Sequence, residues 1–234
     1  MRALVALAVV VIPVLAQPSA AARIDHILLG VPDLERTLED LSKVLGVTPV
    51  YGGKHPGGTH NALLSLGPHT YLELIALQPG VKGSEVGEDD LAKLTRPEPV
   101  GWAVSAPDLA SLRRRLARAG FEVDPHPRGS RTTPAGTVLH WQTFGLRADL
   151  QGAPFFIDWS KATPHPASTS PAGCTLASFK LISPDAKRLE RLRSALDLEV
   201  VIVEGPALAY TLTLDCPEGP VTFRTTAGDP TKVF

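Results

Sequence analysis

The segment LLGVPDL (Leu28–Leu34) joins an apolar, strand-like run to a helix-like run, and it occurs three times in the chain. The second copy is AVSAPDL (Ala103–Leu109) and the third is KLISPDA (Lys180–Ala186), so that the prolines lie 75 and then 77 residues apart. Proline ends a strand because it supplies no donor to the ladder. Aspartate is a favoured helix N-cap because its side chain accepts hydrogen bonds from free backbone N–H groups. The repeat therefore predicts three units, each starting with a strand that passes into a helix.

Outward from each Pro-Asp pair, leucines at three- and four-residue spacing indicate an amphipathic helix. Gly46 and Gly120 are typical terminators of the first two helices. Three further strands are predicted after each helix, at 47–51, 60–66 and 70–77, at 121–124, 136–144 and 154–159, and at 199–204, 207–214 and 219–225. The predicted fold class is α+β, with three βαβββ modules whose mainly antiparallel sheets form a concave cup with the helices outside.

The predicted domain organisation has three parts. Residues 1–22 have a basic start, an apolar run of about a dozen residues and small residues at the end, which is typical of a secretory signal peptide. The run is shorter than the roughly 20 residues of a membrane span, although an uncleaved anchor is an alternative. A domain follows at 23–166 with modules at 23–78 and 99–160, and a degenerate third module at 171–227. The predicted location is the periplasm or the outside of the cell, with no stable membrane span after cleavage.

The charge of the chain bears on its partners. The formal net charge is −1, which gives no electrostatic reason to expect nucleic acid or an anionic membrane surface. The predicted partner is a small molecule, and a homodimer is left open. Export would permit a disulfide between Cys174 and Cys216, with two buried free thiols as the alternative.

The stretch Thr59–Ile75 predicts a β-hairpin around a Gly-Pro turn. Glu73 lies within its second apolar run, and burying a carboxylate costs several kcal/mol unless it is paired or bound to a metal. With a two-residue turn, Glu73 would lie opposite Ala62 and share a face with His60. The hairpin therefore predicts a polar site, and a buried ion pair with an arginine such as Arg131 is the alternative.

Several motifs, taken in order along the chain, resemble the glyoxalase-like proteins of the vicinal oxygen chelate superfamily. They are IDHI (Ile24–Ile27), GTHN (Gly58–Asn61), YLELI (Tyr71–Ile75), the stretch Gly136–Trp141, PFFIDW (Pro154–Trp159) and His165-Pro166. The resemblance covers about residues 24–166, and the third module carries none of these motifs. It implies paired βαβββ modules around a divalent metal ion, with ligands from the first and fourth strands of two modules.

Carried over by position, this ligand set is incomplete. The first module supplies His26 and Glu73. In the second module the position matching His26 is Gly101, and the position matching Glu73 is Asp158. His60 is added to the candidate ligands because of its predicted face. The expected metal ligands are therefore His26, His60, Glu73 and Asp158.

The implied ion is zinc, manganese, iron or nickel, and it would polarise two vicinal oxygens and stabilise an enolate. Glu73 is expected to be either a ligand or the catalytic base. The residues expected to contact the substrate are Arg131, Asn61 and Trp141, although core packing is an alternative for the tryptophan. The remaining histidines are expected on the surface or in loops, namely His55, His69, His126, His140 and His165.

The function expected from this resemblance is that of an exported metal-dependent enzyme of the lyase or isomerase type, acting through an enolate, with dioxygenase chemistry as another option. The alternative is a non-catalytic protein that binds or sequesters a small molecule in the same cup. A purely structural role is a further option for the third module.

Overall fold

The computed structural model describes residues 22–83, 89–125, 128–147, 150–159, 161 and 163–225. The predicted signal peptide lies outside the described residues except for its last position. The strands are β1 (Arg23–Gly30), β2 (Val50–Lys54), β3 (Thr59–Ser65), β4 (Tyr71–Leu77), β5 (Glu98–Ser105), β6 (Val123–Pro125), β7 (Gly129–Thr132), β8 (Val138–Leu146), β9 (Phe155–Trp159), β10 (Thr175–Ser183), β11 (Val201–Glu204), β12 (Ala209–Cys216) and β13 (Gly219–Arg224). The helices are α1 (Leu34–Leu45), α2 (Asp89–Ala92), α3 (Leu109–Arg118), α4 (Pro166–Thr169) and α5 (Ala186–Leu196). Within these ranges, no helix has the length and apolarity needed to cross a membrane.

The first two modules share one large sheet. Its strand order is β2-β3-β4-β1-β5-β9-β8-β6, and β7 also pairs with β8. The modules meet where β1 runs antiparallel to β5, while β1 and β4 pair in parallel. The predicted α+β fold class with mainly antiparallel sheets is confirmed.

The Pro-Asp pairs of the first two modules start helices as predicted. The side chain of Asp33 accepts a hydrogen bond from the N–H of Arg36 at 2.9 Å, and that of Asp108 accepts one from the N–H of Ser111 at 3.0 Å. Helix α1 ends at Gly46, whose φ of 68° is left-handed and favours glycine. The leucines of both helices are buried against one face of the sheet, which leaves the opposite face for the cup, and they include Leu34, Leu41, Leu45, Leu112 and Leu116.

The third unit has the predicted elements in the predicted order but its own strand arrangement. Its order is β11-β10-β12-β13, and the two strands joined by α5 are parallel neighbours. In the first module, by contrast, α1 leads from β1 to the far edge of the sheet. The carboxylate of Asp185 makes no cap on α5 and instead accepts a hydrogen bond from the N–H of Gln151 at 3.0 Å. The third Pro-Asp pair therefore ties this unit to the second module.

An aromatic contact and a disulfide hold the third unit. The ring of Phe179 lies 5.7 Å from that of Trp102 in β5 and stacks on Tyr210 at 5.7 Å. Trp102 also donates through Nε1 to the carbonyl of Gly152 at 2.9 Å. Of the two alternatives for the cysteines, the structure has the disulfide between Cys174 and Cys216.

Removal of this disulfide is expected to destabilise the protein. The two cysteines lie 42 residues apart, and for a loop of this length the chain-entropy estimate is about 4 kcal/mol. A variant with Cys174→Ser and Cys216→Ser should unfold at a lower urea concentration, and reductant should shift the unfolding midpoint of the wild type but not that of the variant. Equal midpoints for variant and wild type without reductant would show that the cross-link contributes nothing.

Candidate active site

The register of the β3–β4 hairpin decides which side chains meet Glu73. The loop has five residues rather than two, and the N–H of Leu66 donates to the carbonyl of Thr70 at 2.9 Å. Glu73 therefore lies opposite Leu63, not Ala62. A shift of one residue exchanges the faces of a strand, so the prediction that His60 shares a face with Glu73 is wrong.

His60 lies on the helix side of the sheet. It lines a cavity of about 360 Å³ with Pro32, Asp33 and Glu35 at the start of α1. Burial lowers the pKa of His60, and the charge of Glu35 opposes this shift. Since His60 and Glu73 point to opposite sides of one strand pair, they cannot share an ion.

Asp158 is likewise turned away from Glu73. Its neighbour Trp159 faces the cup, so Asp158 faces the side covered by α3. Burial raises the pKa of Asp158, and the charges that act on it are those of Lys161 and Asp108 at the start of α3. Neither predicted position of the second module therefore brings a ligand to Glu73, and the expected four-residue set is not assembled.

The structure does bring His26 and Glu73 together. His26 is the neighbour of Tyr71 in the parallel pair of β1 and β4, and their rings stack at 4.7 Å. Nε2 of His26 lies 3.4 Å from Oε2 of Glu73. The family resemblance predicted that these two residues share a site, from their positions in the first and fourth strands of the module.

The other ring nitrogen of His26 contacts Asp25, a residue that the sequence did not single out. A register shift between β1 and β5 at this point takes Asp25 out of the strand alternation. Its Oδ1 accepts from Nδ1 of His26 at 2.8 Å and from Nε1 of Trp159 at 3.3 Å. Its Oδ2 accepts from Nε2 of His165 at 3.1 Å. His165, expected on the surface or in a loop, is therefore part of the site.

The charge of Asp25 sets the proton position on His26. Burial by itself raises the pKa of Asp25, but the hydrogen bonds from His165 and His26 outweigh it, and the pKa lies well below its usual range. An ionised carboxylate keeps the imidazole proton on Nδ1, which leaves Nε2 directed at Glu73. The carboxylate of Asp25 therefore orients His26 so that its other ring nitrogen, Nε2, faces Glu73.

His55 is the second imidazole of the site. Its Nδ1 lies 2.8 Å from Oγ1 of Thr59, and its Nε2 lies 3.8 Å from Oε1 of Glu73. Burial lowers the pKa of His55, although the charge of Glu73 opposes this shift, so the ring is neutral at pH 7. The sequence placed His55 in a loop correctly, but the loop folds back and turns the ring inward, because the N–H of His55 donates to the carbonyl of Thr59 at 2.8 Å. The Gly-rich turn between His55 and Thr59 was the one sequence feature that could have predicted this inward turn.

Asn61 holds the carboxylate of Glu73 in place. Its Nδ2 donates to Oε1 of Glu73 at 2.8 Å and lies 3.3 Å from Nε2 of His55. Asn61 lies on the same side of the sheet as Glu73, because it is opposite Ile75, which is two residues from Glu73 on the same strand face. Asn61 is therefore a hydrogen-bond partner of Glu73, and its contact with substrate stays a prediction.

Arg131 closes the cup between its two outer edges. It lies in β7, a strand outside the ranges predicted from the sequence, and its guanidinium donates to the carbonyl of Gly52 in β2. Gly53 permits this approach, because a Cβ there would lie 2.5 Å from the carbonyl oxygen of Thr132, and its φ is 135°. Burial lowers the pKa of Arg131 and the charge of Glu73 opposes this shift. Arg131 therefore acts on Glu73 through space, whereas the hydrogen bond of that carboxylate is made with Asn61.

One end of the cup is filled by the chain that leads to the third unit. Ala167 of α4 packs with Leu63, Tyr71 and Trp159 in a small apolar cluster. The N–H of Ser65 in β3 also donates to a carbonyl of this segment, that of Pro171, at 2.8 Å. Trp141 lines the neighbouring wall, with its ring 6.2 Å from that of His55. The α4 segment therefore covers this end of the cup.

The donor types at this site are those of a divalent metal centre. Two imidazoles and one carboxylate suit zinc and several other divalent transition metals. Two donors of one tetrahedral zinc ion lie about 3.4 Å apart at ordinary bond lengths, and Nε2 of His26 and Oε2 of Glu73 have this separation. Among the described residues, however, no three His, Cys, Asp or Glu side chains could hold an ion as they stand. His55 would have to approach Glu73 to complete the set.

Comparisons with known proteins agree with this architecture. The family model of the glyoxalase-like domain matches residues 24–196 and so extends through α5. A hypothetical protein from Staphylococcus aureus superposes with a TM-score of 0.59 at 17% identity, covering 87% of this chain and 85% of that one. Methylmalonyl-CoA epimerase from Mycobacterium tuberculosis (TM-score 0.46, 22% identity, 66% of this chain and 97% of that one) is a more distant structure. So is a mutant of 4-hydroxymandelate synthase from Streptomyces coelicolor (TM-score 0.46, 18% identity, 88% and 62%).

No curated protein sequence matches the chain. The first structural similarity shows a shared fold, and the family model covers most of the sequence. This protein therefore belongs to the glyoxalase-like domain family of the vicinal oxygen chelate superfamily.

Proposed function

We propose that this chain is a divalent-metal-dependent enzyme that moves a proton at the carbon beside a carbonyl group in a small oxygenated substrate. The observation that supports this most strongly is the convergence of His26 and Glu73, with Nε2 facing Oε2 at 3.4 Å and Nδ1 held by a buried, ionised Asp25. The proposed ligands are His26, Glu73 and His55, the last in place of the His60 and Asp158 expected from the sequence.

A bound divalent ion would polarise the carbonyl oxygen of the substrate and stabilise the enolate. Asp25 keeps Nε2 of His26 directed into the site, and Asn61 holds Oε1 of Glu73 while Oε2 faces His26. Tyr71 and the α4 segment exclude water from one end of the cup. Glu73 either binds the ion through Oε2 or accepts the proton there, and a Glu73→Gln variant distinguishes the two roles.

A non-catalytic binding protein is the second candidate. It is favoured by the second module, where Gly101 occupies the position expected for a histidine and Asp158 faces α3. In that case the same cup would hold a small molecule without turning it over.

Export is part of the proposal, with the leader removed from the mature chain. The disulfide between Cys174 and Cys216 supports it, because such bonds persist in oxidising compartments. Ala22 is buried in the core, which favours cleavage after Ala16 over cleavage after Ala22. The intact mass of the mature protein should show the loss of residues 1–16, and an intact Met1 would contradict export.

The proposal is tested by metal analysis and by hydrogen exchange. The purified protein, incubated with zinc, manganese, iron(II) or nickel and then desalted, should retain about one ion per chain. With that ion bound, it should catalyse exchange of the C–H beside the carbonyl with D2O in a set of 2-oxo and 2-hydroxy carboxylic acids, observed by NMR. Retention of the ion without exchange would favour the binding protein, and failure to retain any ion would reject the metal-dependent enzyme.

A further inference from the structure

On the basis of the proposed function, we propose that the substrate of this site is a small organic anion whose carboxylate or phosphate group binds Arg131 and Lys54. The supporting observation is a buried guanidinium, that of Arg131, which has no ion pair among the described residues and lines a cationic groove. His55 lies between this groove and Glu73.

Arg131 carries a buried charge that the described residues do not neutralise by direct contact. The residue is only 5% exposed, and the one described hydrogen bond of its guanidinium goes to the carbonyl of Gly52. The ion-pair contacts of Glu73 are made with His26 and His55 instead, at 3.4 and 3.8 Å. A buried charge is costly unless it is paired, and a guanidinium has five N–H donors. Arg131 therefore has donors left for an anion that comes from outside the chain.

The groove lined by Arg131 lies between the β2–β3 loop and β7 and has a volume of about 930 Å³. Lys54, an exposed residue at the end of β2, adds a second positive charge to the lining. The described lining includes no aspartate or glutamate. Two cations without an acidic neighbour create a positive potential, which favours an anionic ligand. Arginine binds carboxylates and phosphates through paired hydrogen bonds, so the groove suits either group.

His55 connects the groove to the carboxylate of Glu73. It lines the groove, its side chain is 18% exposed, and its Nε2 lies 3.8 Å from Oε1 of Glu73. The charge of Glu73 also acts on Arg131 through space. An anionic group in the groove is therefore separated from Glu73 by one imidazole ring, which is a distance that a small substrate can span.

Isothermal titration calorimetry tests whether an anion binds in this groove. The probes are 2-oxobutanoate and its uncharged amide, titrated into the full chain loaded with zinc and again after treatment with EDTA. 2-Oxobutanoate should bind at least about tenfold more tightly than the amide, a difference of about 1.4 kcal/mol. This preference should persist after EDTA, because Arg131 and Lys54 remain. Equal binding of the acid and the amide after EDTA would overturn the proposal.

Inorganic phosphate, titrated after EDTA, distinguishes the two kinds of anionic group. Phosphate that displaces 2-oxobutanoate and binds at least about tenfold more tightly would identify the group as a phosphate. Tighter binding of 2-oxobutanoate would identify it as a carboxylate.

Variants of Lys54 assign the binding to the groove. Lys54→Gln should weaken 2-oxobutanoate about threefold, which is the scale of an exposed charge pair, and Lys54→Glu should weaken it at least about tenfold. Neither change should alter binding of the amide. The matched controls are Lys43→Gln and Lys43→Glu in α1, outside the lining, and they should leave both affinities unchanged. Equal affinities in the Lys54 and Lys43 variants would overturn the proposal.

Arg131→Gln should weaken 2-oxobutanoate at least about tenfold, and Arg131→Lys should retain part of the affinity, because lysine keeps the charge but not the planar set of donors. The hydrogen bond of Arg131 also joins β7 to β2. If Arg131→Gln fails to fold for this reason, the Lys54 variants still decide the question.

Metal content, measured on the same proteins, separates this inference from the proposed function. Lys54→Gln should retain about one ion per chain, because Lys54 is not among the proposed ligands. Equal binding of acid and amide by a chain that retains its ion would reject the anionic substrate alone. Selective binding of the acid by a chain that retains no ion would reject the metal-dependent enzyme alone.

Discussion

Replacing His26 with glutamine is expected to remove bound metal and, with it, catalysed C–H exchange. The variant loses the Nε2 donor that faces Oε2 of Glu73 and the ring that Asp25 holds. Loss of an outer partner of a metal ligand already costs about 10–100-fold in affinity, so loss of the ligand itself should cost more than that. Metal titration of the variant, followed by elemental analysis after desalting, measures the effect.

Two histidines of the first module provide matched controls. His60→Gln alters a residue that the sequence favoured as a ligand but that the structure places on the helix side. His69→Gln alters an exposed residue in the β3–β4 loop. Both variants should retain about one ion per chain. Loss of the ion in His60→Gln, with the fold intact by circular dichroism, would show that the working site has a different β3–β4 register from the one observed.

Glu73→Gln distinguishes the two roles of the carboxylate. The change keeps the size and the acceptor for Asn61 but removes the charge. If Glu73 is a ligand, metal and exchange are lost together, and if it is only the base, the ion is retained while exchange falls. Unchanged metal content and unchanged exchange would show that Glu73 is structural.

Replacing Asp25 with asparagine is expected to have the second-largest effect, on both stability and metal affinity. Asp25 is fully buried and accepts hydrogen bonds from His26, His165 and Trp159. The amide of asparagine has one acceptor oxygen, and its NH2 group would face at least one of these N–H donors. A buried polar group left without its partner costs about 1–3 kcal/mol. The orientation of His26 also loses its support, which should lower metal affinity by about 10–100-fold.

Urea unfolding and metal titration of the Asp25→Asn variant measure these two effects separately. Asp215→Asn, at an exposed position of β12, is the control for the loss of one negative charge. Normal metal affinity in Asp25→Asn, whatever its stability, would contradict the orienting role of Asp25 and leave it as a buried structural residue.

Local sequence patterns were sufficient for the helices that follow the first two Pro-Asp pairs. Asp33 and Asp108 cap their helices as the Pro-Asp repeat predicted, because a helix start depends on residues within one turn of the chain. The spacing of leucines identified the buried face of α1 in the same way. The family resemblance, carried over by strand position, also predicted His26 and Glu73 as partners in one site, and the structure places Nε2 of His26 3.4 Å from Oε2 of Glu73.

Tertiary structure decided which side chains share the site. Whether His60 or Asn61 meets Glu73 depends on one residue of register, which a five-residue loop sets and which the apolar pattern of β3 does not distinguish, because both faces of that strand are buried. Asp25 enters the site through a local bulge, and His165 reaches it from a segment 140 residues away.

The sequence by itself determined the units and their helices, and the family resemblance supplied the first-module pair of His26 and Glu73. The folded chain decided the strand order of the third unit, the inward turn of His55 and the closure of the cup by Arg131. The physical reason is the distance along the chain over which each kind of interaction acts. Caps and amphipathic faces are set within a few residues of chain, whereas strand order, register and buried polar contacts arise from packing between segments that the sequence keeps far apart.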